Sequence, residues 1–348
     1  TAVNTYQGTG KRLLFKKGQT FSTSVHPRIT ANGPGIIGAW GSGARPIVSL
    51  AANTNGIVLS SQSTPTISDW RFMDIDARGN GTNTDGIGFD GSINQTLMLR
   101  VRAYNMRSGA GASYSLLDYH NANGYPGHTM WDQMAFVDCD MDTVNGGTAA
   151  GGMIGIYASA TRFTLMGSVV DPAGGGEHSL RNPYIGRGVI SNNYLARPAT
   201  EKHTWQLHAP GFSGGGVVAA NTYTEKLVVS DNTFLDDKDA WLVYVGPQAV
   251  GTGYDERLRN IIFERNYFNG SNGQSLIIRG GVSSITARNN ITNLGMWVLD
   301  GQSGLPVVND LAILHNTFYS TATISSSFDG VQIFLTPVNI TYKNNLVY

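Results

Sequence analysis

A short apolar strand closed by asparagine recurs through the second half of the chain, and few folds can accommodate it. The unit appears as Val189–Asn193, Leu227–Asn232, Ile261–Asn266, Ile285–Asn290, Leu311–Asn316 and Ile340–Asn345. Its final asparagines are 39, 34, 24, 26 and 29 residues apart. The longer intervals read as loops inserted into a basic coil of about 22 to 28 residues, the signature of a solenoid. One coil cannot bury its apolar face, whereas stacked coils bury a continuous core. Asparagine recurring at one turn can stack as a ladder of amide hydrogen bonds, and it tolerates the left-handed conformation that a sharp turn requires. The spacing therefore predicts an all-β, right-handed parallel β-helix with loop insertions.

Composition agrees. Helical periodicity is almost absent. Charged residues make up 14% of the chain and glycine supplies 44 of its 348 residues, which suits short strands joined by tight turns. With 41% apolar residues the chain can fill a large core. No linker or change of composition divides it, so one domain is expected over 1–348, with first coils or a cap in 1–50 and stacked coils in 51–348.

Lys+Arg and Asp+Glu are 24 each, a balance that argues against a nucleic-acid partner. No apolar run approaches the roughly 20 residues of a membrane span, so no membrane insertion is expected. The chain begins in a polar stretch, as a processed secreted or periplasmic bacterial protein would. Cys139 is the one cysteine, which excludes an intrachain disulfide, and it reads as a packed side chain rather than a nucleophile.

A second strand follows each asparagine unit. Aligned on inward apolar residues, these strands give four-residue rows, with positions one and three inward and two and four outward. The fourth position reads Asp90, His120, Tyr157, Arg181, His208, Tyr244, Arg279, Asp300 and Phe334. In a parallel stack such residues stand about 4.8 Å apart. Trp205, Trp241 and Trp297 fall at inward positions and read as core. His178 also falls inward, buried and bonded to Glu177 or a turn unless it meets substrate.

Lys202 and His203 lie at the rim of this column. Arg181, His208, Lys202 and Tyr244 are the candidate catalytic residues. Arg279, His178, Glu177, Tyr157, His203, Asp300 and His120 are candidates for binding substrate. Any single outward polar residue is more often solvated than functional, so the weight rests on their clustering into a local cationic face suited to an acidic polymer. Arginine matches a carboxylate bidentately, while His, Lys or Tyr can move protons.

Other motifs carry less. Gly8–Lys11 lacks full phosphate-loop spacing and reads as a turn. Asp138, Asp140 and Asp142 alternate as a calcium rim would, but solvated strand positions explain them as well. No cofactor is expected, with Ca2+ left open. An inverting glycosidase needs one pair of carboxyls, which Asp85, Asp90, Asp118 and Asp300 could supply if the coils bring two of them together. Trp40, Trp131, Tyr125 and Tyr184 are candidates for stacking on sugars.

Leu13–Phe21 and Ile36–Val48, with the repeated units at 191–193, 230–234 and 264–268, resemble the pectate-lyase-type parallel β-helix superfamily over nearly the whole chain. Glu177–Arg181 followed by Trp205–His208 is similar to polysaccharide lyase family six, the alginate and chondroitin lyases. That family carries a lysine base on one coil and an arginine on the next, where this chain has Arg181 and His208. The resemblance implies a lyase acting on an acidic, uronic-acid-containing polysaccharide by β-elimination. A β-helix glycoside hydrolase, a uronan C5-epimerase and a non-catalytic carbohydrate-binding module remain as alternatives.

Overall fold

A computed structural model describes the chain except for residues 1, 26, 52–56, 61–66, 80–84, 91–92, 106–107, 112–131, 143–153, 159, 173–176, 199–201, 209–222, 237–240, 247–256, 272, 300–306, 320–329 and 335–337. Among the described residues, the strands form three parallel sheets of 12, 12 and 11 strands. Each coil visits the first, second and third sheet in turn, then climbs to the next. The fold is a right-handed parallel β-helix, as the repeat predicts. The helical content of the described residues is one turn, Ala2–Thr5.

The two-residue period decides the core. On the first sheet Leu227, Ile261, Ile285 and Leu311 stand in register on successive coils, as do Val229, Phe263, Ala287 and Ile313, and all are buried. On the second sheet the rings of Phe234 and Phe268 stack 5.1 Å apart within 8° of parallel. Burying each such side chain contributes about 1.5–3 kcal/mol before the entropy of ordering it.

The asparagine ladder forms at the turn from the first sheet to the second. Asn193, Asn232, Asn266, Asn290, Asn316 and Asn345 are linked by Nδ2–H···Oδ1 bonds of 2.9–3.0 Å between successive coils. Each Oδ1 after the first also accepts the backbone N–H of the asparagine below, and each Nδ2 satisfies a strand-end carbonyl such as Val229 or Phe263. Ser168 and Cys139 extend the ladder toward the N-terminus. The left-handed residue is the one before the ladder position: Asn192, Asp231, Arg265, Asn289, His315 and Asn344 all have positive φ. Asparagine is thus selected at the ladder for its amide, while several residue types take the strained turn.

Cys139 is buried, and burial pushes its thiol up to about 11, so it is a core residue. Gly8–Lys11 forms an exposed turn closed by the Lys11 N–H to the Gly8 carbonyl at 3.1 Å. Asp138 occupies the left-handed turn and Asp140 pairs with Arg102 of the preceding coil at 3.3 Å, the behaviour of solvated strand and turn positions.

Candidate functional site

Three columns of side chains run along the outer side of the third sheet, among the described residues.

The first column lies at the corner where the chain enters the sheet. The backbone bonds from Leu180 N–H to the Thr204 carbonyl and from Trp205 N–H to the Leu242 carbonyl put His178, His203 and Trp241 one above another. Their rings follow the coil spacing: His178 and His203 are 5.2 Å apart, and His203 and Trp241 are 5.1 Å apart and within 8° of parallel. The Tyr244 ring joins them, 5.2 Å from His203 and 4° from parallel. His178 is buried and bonded to the turn, its Nδ1 accepting the His203 N–H, as expected, whereas the expectation that Trp241 belongs to the core is corrected: it is partly exposed. The bend at the corner breaks the two-residue alternation, so Ser179, Thr204 and Leu242 enter the core instead.

The second column is the strand itself. The register joins Tyr157, Arg181, Gln206, Tyr244, Ile277, Trp297 and Gln332. The third column, two residues further along each strand, contains Arg279 and Phe334, which backbone register joins through position 299, and its register continues back through Gly246 to His208. The single column expected from the sequence is therefore two. Arg181 pairs with Gln206 rather than His208, and Tyr244 pairs with Ile277 rather than Arg279. A two-residue slip keeps every inward residue inward, so alternation alone does not detect it. Trp297 is a further correction: it lies on the outer face, while Val298 is buried. Trp205 does belong to the core, where its indole N–H donates to Asn182 Oδ1 at 2.8 Å.

Burial and hydrogen bonding fix the protonation states. His178 Nδ1 accepts the backbone N–H of His203 at 2.9 Å, which leaves its proton on Nε2, 3.6 Å from Glu177 Oε2. Burial and the neighbouring His203 and Arg181 lower its pKa to about 2. Burial, then Lys202 and Arg181, lowers that of His203 to about 4. Both are neutral rings near pH 7. His208 is buried and its Nδ1 lies 3.0 Å from the Gly246 carbonyl, so Nδ1 carries the proton and Nε2 is the acceptor. Lys202 is ion-paired with Glu177 at 3.2 Å, which makes it a poor candidate for a free amine base.

Many arginines on the other faces are held in ion pairs between coils. Arg100, Arg162 and Arg265 on the other faces pair with Asp74, Asp132 and Asp231 of neighbouring coils. Arg181 and Arg279 have no carboxylate partner among the described residues. Arg181 lies over the Tyr157 ring at 5.4 Å, and Arg279 Nη1 donates to the Tyr244 hydroxyl at 3.4 Å. Gly246 permits that approach, since a Cβ there would come within 2.9 Å of Arg279 Cβ and 3.3 Å of Tyr244 Cζ. The fold thus gathers Tyr157 with Arg181, Glu177 with His178, Lys202 and His203, and His208 with Tyr244 and Arg279.

Asp118, His120, Asp300, Tyr125 and Trp131 lie outside the described residues, as do the side chains of Asp85, Asp90 and Asp142. Tyr184 is buried, and Trp40 is exposed on the first sheet, so neither faces this cluster. Gln206, Trp241 and Gly246 are members that the alternation pattern did not single out. The signal for Trp241 is its position three residues before Tyr244.

No protein-family model matches the sequence, and no curated protein matches it. Several solved structures share the fold. The A-module of the Azotobacter vinelandii mannuronan C-5 epimerase AlgE6 is similar with a TM-score of 0.54 at 12% identity, over 97% of this chain and 90% of that one. The corresponding AlgE4 A-module gives 0.51 at 15% identity, over 97% and 79%. A GH136 lacto-N-biosidase from Eubacterium ramulus gives 0.50 at 11%, over 98% of this chain and 62% of that chain. The likeness is one of fold.

Proposed function

We propose that this chain binds a uronic-acid-containing polysaccharide along the outer side of the third sheet and cleaves it by β-elimination. The observation that carries the reading is the placing of two arginines, Arg181 and Arg279, on either side of Tyr244, neither with a carboxylate partner among the described residues. A guanidinium matches a carboxylate in shape and charge, and neutralising the substrate carboxylate acidifies the C5 proton. Tyr244 and His208, whose rings meet edge-on at 5.8 Å, form the proton-transfer pair. One takes the C5 proton, the C4–oxygen bond breaks as the C4–C5 double bond forms, and the other gives a proton to the leaving oxygen. Lys202 and His203 shape the rim, with Glu177 holding Lys202 in place. A polymeric substrate of this kind fits an extracellular or periplasmic location.

C5 epimerisation is the second reading. It shares the carboxylate neutralisation and proton abstraction, then returns a proton to the opposite face of the sugar. The names of the two epimerase modules of like fold favour it. Hydrolysis finds less support, because among the described residues Glu177 is a lone carboxylate on this face and is engaged by Lys202. Incubation with alginate, glycosaminoglycans and pectate, followed by ultraviolet absorbance of unsaturated ends and by proton exchange at C5, separates the outcomes. Absorbance supports elimination, exchange without absorbance supports epimerisation, and silence on every uronate polymer sinks both.

A further inference from the structure

Toward its C-terminal coils the outer side of the third sheet changes character. Trp241, Trp297 and Phe334 form an aromatic run: Trp241 and Trp297 are 6.2 Å apart at 59°, Trp297 and Phe334 5.6 Å apart at 74°. Trp297 is partly exposed, and register places Phe334 in the outward column that contains Arg279. Ile277 and Gln332 flank Trp297 in its column, and no cation stands in either strand column beyond Arg279 among the described residues. Large rings on an outer sheet face, each one or two coils from the next, do not serve the core, which Val298 and Met296 already fill.

Resting on the reading above, we infer that Trp297 and Phe334, with Trp241 behind them, are a stacking platform for pyranose rings of the same polysaccharide. The coil rise of about 4.8 Å is close to the length of one sugar residue, so a chain lying along the helix axis meets roughly one coil per sugar. Trp297 stands two coils beyond Tyr244 and Phe334 one further. The platform therefore receives the second and third sugars on the C-terminal side of the reacting residue. An aromatic face contacts the apolar C–H face of a pyranose and leaves its substituents in water. It grips without reading charge, whereas Arg181 and Arg279 select the carboxylate. The two halves of the face divide affinity from specificity.

Affinity electrophoresis in gels containing each polymer of the panel, run on the full chain, tests this. The variants are Trp297→Ala, Trp297→Phe, Phe334→Ala and Arg181→Ala, each checked for native circular dichroism. Trp297→Ala and Phe334→Ala should weaken retardation by the bound polymer roughly tenfold, with Trp297→Phe restoring most of it. The loss of kcat/KM on polymer should also exceed the loss on a trisaccharide. Retardation abolished by Arg181→Ala but unaltered by Trp297→Ala overturns the platform and leaves the proposed function standing. Retardation weakened by Trp297→Ala with no reaction on any uronate keeps the platform and overturns that function. Absence of retardation by every polymer overturns both.

Discussion

His208 Nδ1 lies 3.0 Å from the carbonyl oxygen of Gly246, one coil further along the helix. The same glycine, lacking a Cβ, lets Arg279 and Tyr244 close over it. One backbone position thus orients the imidazole through its carbonyl and admits the guanidinium through its missing side chain. Gly246→Ala should move Arg279 or the Tyr244 ring by some tenths of an ångström. A misplacement of about 1 Å at a reacting group costs about a hundredfold in rate, and a shift of tenths correspondingly less. We expect kcat/KM on the cleaved polymer to fall roughly tenfold, with the thermal midpoint little changed. Unaltered kinetics would show that the approach of these three residues is incidental.

Asn266→Ala tests the ladder. It strands the Asn232 backbone N–H and the Val229 carbonyl, each now satisfied by the Asn266 amide. An unsatisfied buried group costs about 1–3 kcal/mol, so a loss near 3 kcal/mol is expected. Urea denaturation followed by circular dichroism reads it as a lower midpoint, while activity per folded molecule stays the same. A midpoint within experimental scatter of wild type would reduce the ladder to a by-product of the turn.

These two predictions rest on features of unequal visibility in the sequence. The ladder was legible because Asn232, Asn266 and Asn290 must recur at one turn to bond each other, and recurrence is what a sequence displays. The third sheet was legible as a set of strands but not as a register. Alternation says which face Leu180, Leu207 and Val243 occupy, and all three are buried as expected. It does not say that Leu180 pairs with Trp205. Loops of unequal length let the pairing slide by two residues at no cost in pattern. Trp241 departs from the inward pattern for a related reason: the strand period begins only after the bend.

Acid should destabilise the protein through the corner imidazoles. His203 and His178 have folded pKa values lowered from 6.5 to about 4 and about 2. The unfolded chain therefore binds more protons than the folded one below pH 6.5. Their contribution is complete above 6.5 and is lost as pH falls through 6.5 toward 4 for His203, and on toward 2 for His178. Urea midpoints measured from pH 7.5 to 4 should decline, and His203→Phe, which keeps a ring against Trp241, should decline less steeply. Parallel slopes for the two proteins would refute burial of a neutral His203.

The kinetics of two variants separate Tyr244 from Lys202. Both are candidates for moving a proton, and their surroundings differ. The Tyr244 hydroxyl receives the Arg279 N–H at 3.4 Å, placing a positive charge beside the oxygen that would carry the proton. Lys202 is held by Glu177 at 3.2 Å and serves the rim. Tyr244→Phe removes the hydroxyl and keeps the ring against His203, so kcat should fall by about 10² to 10⁴ with KM little altered. Lys202→Met should act mainly on KM, because it withdraws charge from the path of an acidic polymer without touching the proton transfer. The sensitivity to salt should separate them as well: added NaCl raises KM for wild type and Tyr244→Phe alike, and less for Lys202→Met. A collapse of kcat in Lys202→Met, with Tyr244→Phe nearly intact, would transfer the role of base to the lysine and place the Glu177 pair in the chemistry.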